Sequence, residues 1–110
     1  MSTLRNLPID NPECFSEMIT PKKNQVVSML LSSSEHVFVS LFTFADKETV
    51  SEEEYYGDTM YYVLEGETLI KQGEKISHLK TGDVFSVPAH TLHAMGGEGA
   101  FKVLQITVNE

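Results

Sequence analysis

Residues 82–93 read GDVFSVPAHTLH, and each spacing in this stretch has a mechanical meaning. Gly82-Asp83 is the composition of a tight turn. Val84 to Val87 make a short, mostly apolar strand. Pro88 ends that strand, because it has no N–H to give to a ladder. Thr91 to Met95 then open a new strand on which His93 and Met95 share a face. A histidine held just past a proline-ended strand points into the mouth of a β-barrel.

The same stretch resembles the second motif of the cupin family, G-x5-P-x-G-x2-H-x3-N. Gly82, Pro88 and His93 fall on its positions, while His90 stands at the second glycine and Gly97 at the asparagine. The family's first motif, G-x5-H-x-H-x3,4-E-x6-G, ends in a turn like Tyr62-Val63-Leu64-Glu65-Gly66-Glu67. Counting back from Gly66 puts the motif's glutamate at Thr59 and, with the shorter spacer, its two histidines at Glu53 and Tyr55. The resemblance implies an all-β, double-stranded β-helix (jelly-roll) barrel. It covers about residues 36 to 107 and leaves most of the family's metal ligands replaced. His93 alone keeps its ligand position.

Composition narrows the function classes. The chain has 110 residues, enough for one domain burying roughly 65% of its unfolded surface without a staple. Sixteen acidic against eight basic side chains give a net charge of -8, which repels nucleic acid and anionic membranes. No apolar run approaches the ~18 residues of a spanning helix. Met1 to Asp10 show neither a basic start nor an apolar h-region, so no signal peptide is read. Cys14 is the single cysteine, which excludes an intrachain disulfide and fits a reducing compartment. The expected location is the cytoplasm.

Pro8, Pro12 and Pro21 mark residues 1–24 as an irregular arm, with at most a helical turn between Pro12 and Met18. The barrel domain is expected over 25–110. Its predicted strands are Gln25–Ser32, His36–Ala45, Thr59–Leu64, Thr68–Gln72, Lys75–Leu79, Asp83–Val87, Leu92–Met95 and Phe101–Val108, with Gly96-Gly97-Glu98-Gly99 read as a hairpin turn. His36 to Ala45 is apolar on both faces: Phe38, Phe42 and Phe44 against Val37, Val39 and Leu41. One face lines the barrel, and the other packs on a second subunit or on the arm. The expected partner is a second copy in a homodimer.

For chemistry, Glu53 can bring a carboxylate to His93, but Tyr55 is a poor ligand, since a phenol keeps its proton to about pH 10. Thr59 is no ligand of consequence, and Asp58 serves only if the strand start slips by one. No tight catalytic metal is expected; a weakly held divalent ion through His93 with Glu53 or His90 stays open. His36 and His78 read as surface residues, and His90 as a polar residue of the corner. Glu52-Glu53-Glu54 reads as a solvated loop. An extended segment would instead turn Glu53 and Tyr55 inward, setting a carboxylate of raised pKa against His93 as an acid/base pair. Continuing the alternation, Tyr61 and Val63 face in. The predicted lining is Glu53, Tyr55, Tyr61, Val63, His93 and Met95, with Phe42 or Phe44, and the ligand-binding set is Glu53, Tyr55, Tyr61, His93 and Met95. The leading expectation is a small-molecule-binding cupin. The alternatives are a metal-dependent or acid/base enzyme (isomerase, decarboxylase or oxygenase type) and a non-catalytic partner subunit, and fold alone does not choose among them.

Overall fold

The computed structural model describes residues 3–110; residues 1–2 of the arm lie outside the described residues. Nine strands follow a short 3-10 turn at Phe15–Glu17: β1 Val26–Ser33, β2 Val37–Phe44, β3 Thr49–Glu53, β4 Asp58–Glu65, β5 Glu67–Gln72, β6 Lys75–Lys80, β7 Val84–Val87, β8 His93–Gly96 and β9 Phe101–Val108. They form a five-stranded sheet ordered β1-β2-β9-β4-β7 and a four-stranded sheet ordered β3-β8-β5-β6, all paired antiparallel. This is the expected all-β double-stranded β-helix.

The strand unseen in the sequence is β3. Val50 is its only apolar residue, so alternation gives almost no signal, and Glu52 to Glu54 are indeed exposed. Its register is fixed instead by pairing to β8, where Val50 faces Met95 and Glu53 faces His93 across a bulge. The solvated-loop reading of Glu52-Glu53-Glu54 is thereby corrected in part: all three are solvated, yet Glu52 and Glu53 lie in β3, with Glu53 paired to His93, while Glu54 follows the strand. A second correction concerns Gly96 to Gly99. Gly96 ends β8 and β9 begins in the other sheet, so this segment crosses between layers and is not a hairpin.

The inner faces of the two sheets meet in one core of Phe44, Tyr61, Val63, Ile70, Leu79, Val87, Met95, Phe101 and Val103. Phe44 and Phe101 are opposed on β2 and β9, and their rings stack at 4.3 Å and 16°. Such a pair contributes about 0.5–1.5 kcal/mol beyond the area it buries. The outer face of β2 packs Val39 and Leu41 with Leu31, Leu64 and Leu104 beneath Leu7, Phe15, Met18 and Ile19 of the arm. Part of the second apolar face is therefore covered by the chain's own N-terminal segment. Three bonds run between this segment and β1: Arg5 N–H to the Leu31 carbonyl, the Asn6 amide to the Leu30 carbonyl, and the Ser32 hydroxyl to the Thr3 carbonyl. Lys102, almost fully buried on β9, donates from Nζ to the Ser16 carbonyl at 2.6 Å. Its long stem packs under the arm while its ammonium holds the 3-10 turn in place.

Two motif glycines are needed for different reasons. Gly66 (φ 81°) joins β4 to β5, and a Cβ there would collide with the Ala100 carbonyl oxygen and the Phe101 backbone. Gly82 (φ 91°) precedes β7, and a Cβ there would meet nothing. Alanine at Gly82 bears only the left-handed backbone cost, whereas alanine at Gly66 adds a steric clash. Urea unfolding should give about 1 kcal/mol of destabilisation for Gly82→Ala and about 2–4 kcal/mol for Gly66→Ala. Equal losses at the two positions would contradict the packing described.

Candidate functional site

Between the sheets lies a cavity of about 190 Å³. Its wall from the five-stranded sheet is Phe42 and Phe44 of β2, Tyr61 of β4, and Val103 and Gln105 of β9. The four-stranded sheet supplies Val50 and Glu53 of β3 and His93 and Met95 of β8, and Tyr55 closes the set from the segment after β3. All five residues of the sequence-derived set thus border one cavity, as do both phenylalanines. Val63 does not; it is fully buried in the core beneath. Val50, Val103 and Gln105 were missed. The phase of β9 was enough to find Gln105, because Phe101, Val103, Gln105 and Thr107 alternate onto one face and Gln105 is the large polar residue among them.

The polar groups of the wall form closed pairs. His93 is buried, and its Nδ1 lies 2.9 Å from the Thr91 carbonyl, which can only accept. Nδ1 therefore carries the proton in the neutral ring, and Nε2 is left as an acceptor. The Tyr61 hydroxyl donates to that Nε2 at 2.7 Å. At the solvent side, the Tyr55 hydroxyl donates to Glu53 Oε2 at 2.6 Å. The amide of Gln105 donates to Thr107 Oγ1 at 3.3 Å, and the hydroxyls of Thr107 and Thr59 share a bond of 2.9 Å. Among the described residues no buried side-chain nitrogen or oxygen lacks a partner.

The expected acid/base pair of Glu53 with His93 is not made. The two face each other across β3 and β8, but each is bonded to a different tyrosine, and Glu53 is exposed. Burial pushes the Tyr55 phenol up to about 12, with the Glu53 hydrogen bond and charge acting the same way. Burial raises Tyr61 further, helped by the charges of Tyr55 and Glu53. Both phenols thus stay protonated at neutral pH and act as hydrogen-bond donors, not bases.

The cupin resemblance implies a metal held through the positions of Glu53, Tyr55, Thr59 and His93, and these residues do not fit one. Tyr61 occupies the His93 nitrogen that would face a cation, Tyr55 keeps its proton, and Thr59 is bound to Thr107. Among the described residues no three His, Cys, Asp or Glu side chains converge. His90 brings no second imidazole. It holds a left-handed backbone (φ 60°) where the family has glycine, and its exposed ring packs edge-on to Tyr56 and reaches Glu54 at 4.0 Å. His36 and His78 are exposed, with His78 bonded to Glu67 at 2.8 Å. Asp58 accepts from the Ala89 N–H.

Comparison with known proteins agrees with this architecture. The family model of the cupin domain matches residues 40–107. The chain belongs to the cupin family. It is similar to a cupin superfamily protein from Desulfitobacterium hafniense at 48% identity and TM-score 0.95, over 99% of this chain and 100% of that one. A conserved protein of unknown function from Streptococcus pyogenes superposes at TM-score 0.95 with 20% identity, over 100% of this chain and 96% of that one. KdgF from Halomonas sp. gives TM-score 0.67 and 17% identity, over 77% and 80%. The last two share the cupin fold alone. No curated protein matches the chain. Among the described residues no helix is long and apolar enough to cross a membrane.

The phenols offer a direct check. In a spectrophotometric titration, the difference between the wild type and Tyr55→Phe should show an ionisation near pH 12, and the difference between the wild type and Tyr61→Phe a later one. The unfolded chain releases these protons near pH 10, so the folded state holds them more tightly above that point. The contribution to stability is complete below pH 10 and is lost as pH rises towards 12. An ionisation of Tyr55 near pH 10 in the folded protein would contradict the buried, Glu53-bonded placement.

Proposed function

We propose that this cupin binds a small molecule in the cavity between its sheets, without a tightly held catalytic metal. The observation that carries the reading is the cavity itself: about 190 Å³ of space walled by aromatic and aliphatic side chains, with Glu53, Tyr55, Tyr61, His93 and Gln105 as its polar groups. A site with an apolar body and a few placed polar groups is the usual form of a small-molecule pocket. A cavity of roughly 150 Å³ takes a ligand the size of benzene, so the expected ligand is little larger than a single ring. His93 fixes Tyr61, and Glu53 fixes Tyr55, so the polar groups are oriented before any ligand arrives.

The binding reading is favoured over the enzyme alternative by the same pairs. Acid/base work needs a group free to take a proton near neutrality. The two phenols are pushed away from that range, and the His93 Nε2 lone pair already accepts from Tyr61. The partner-subunit alternative calls for a plugged barrel, which the cavity volume argues against.

Two measurements test the reading. Fragment-sized apolar compounds should shift the methyl resonances of Met95 and Val103, and Val50→Trp, which fills the wall, should abolish the shifts. Protein purified without chelator or affinity nickel should carry substoichiometric transition metal. A stoichiometric metal that is lost in His93→Ala would overturn the proposal.

We also propose a homodimer formed through the uncovered part of the outer sheet face. Ile106 and Met60 stand side by side on β9 and β4, and Tyr62 faces Val84 on β4 and β7. Met60, Tyr62 and Val84 are exposed, which makes a continuous apolar strip beside the arm. Light scattering coupled to size exclusion should report a dimer that Tyr62→Glu converts to monomer; a monomeric wild type would overturn this.

A further inference from the structure

The ligand's chemical class follows from counting protons in the cavity wall, and the inference rests on the binding reading above. The Tyr61 proton is directed into His93 Nε2, the His93 Nδ1 proton into the Thr91 carbonyl, and the Tyr55 proton into Glu53. One N–H of Gln105 is directed to Thr107. What these pairs leave unused is mainly lone pairs, those of the Tyr61 oxygen and the second carboxylate oxygen of Glu53; the Tyr55 oxygen is also approached by Gln105 and Tyr61, which temper the rise of its pKa. The remaining half of the Gln105 amide is the one mixed group. A ligand that brings acceptors would face acceptors, whereas a ligand that brings N–H donors would be matched.

Charge points the same way. Among the described residues the lining holds no lysine or arginine, and Glu53 is its only carboxylate. The chain as a whole carries a net charge of -8, so the surrounding field does not offset it. Both phenols respond to the Glu53 charge, which adds to burial in raising them. Phe42, Phe44, Tyr55 and Tyr61 also border the cavity, and the quadrupole of an aromatic ring attracts cations to its face.

We propose that the cavity recognises a small organic ammonium ion: a compact apolar body bearing a cationic nitrogen with N–H donors, seated so that the nitrogen meets Glu53 and the phenol oxygen of Tyr61. The apolar body lies against Val50, Met95 and Val103. From the volume, the ligand has roughly eight non-hydrogen atoms. Carboxylates and phosphates are rejected, since each would set its charge against Glu53 with no cation to receive it.

Benzylammonium, benzyl alcohol and benzoate share one body and differ in charge and donors, so they serve as probes. Their affinities are read by titrating the Met95 and Val103 methyl resonances at constant ionic strength. Benzylammonium should bind about tenfold or more tightly than benzyl alcohol, as expected for a hydrogen bond to a charged group, and benzoate should be weakest. In Glu53→Gln, benzylammonium and benzyl alcohol should bind within about twofold of each other. If benzyl alcohol or benzoate binds the wild type as tightly as the amine, or if Glu53→Gln keeps the amine preference, the cation assignment falls while the cavity remains a binding site. If none of the three moves these methyls at millimolar concentration, the binding reading falls with it.

Discussion

The hydrogen bond from the Tyr61 hydroxyl to His93 Nε2 is the contact on which the interior is organised. Tyr61 stands on β4 of the five-stranded sheet and His93 on β8 of the four-stranded sheet, so the bond ties the two layers across the cavity. Both side chains are buried, so losing either partner would leave the other with an unsatisfied polar atom, costing about 1–3 kcal/mol. The Thr91 carbonyl completes the arrangement by fixing which ring nitrogen is bare. In a metal-binding barrel that nitrogen would face a cation; here a phenol takes the place.

Much of the barrel was legible because its signals are local. Pro88 ends β7 at Val87, the turn glycines adopt positive φ, and alternation along β4 turns Thr59, Tyr61 and Val63 inward. The cavity set could be reached the same way, since the register of a strand fixes every face once one residue is placed. What escaped depended on pairing between distant segments. β3 has one apolar residue and ends in Glu52-Glu53, and only its ladder with β8 shows that it is a strand. The bond partners of Glu53 and His93 escaped for a related reason: facing positions on neighbouring strands do not tell which third and fourth residues will intervene.

His90 shows how a departure from a motif can keep the geometry and drop the residue type. The corner after Pro88 needs a left-handed residue, and His90 adopts φ 60° where glycine would do so freely. Its backbone N–H donates to the Tyr55 carbonyl at 2.8 Å, which holds the corner against the segment carrying the cavity phenol. The imidazole stacks edge-on with Tyr56. A histidine in a metal-family motif is thus read better by its backbone than by its side chain.

The arm has a consequence beyond covering Leu31 and Leu41. β1 is the outermost strand of its sheet, with unpaired backbone groups along its free side. Thr3, Arg5 and Asn6 engage Leu30, Leu31 and Ser32 there, so the first residues of the chain act as a guard on an open sheet border. Trimming them would bare the Leu30 to Ser32 border for strand addition, and with it a route to aggregation that these contacts keep closed.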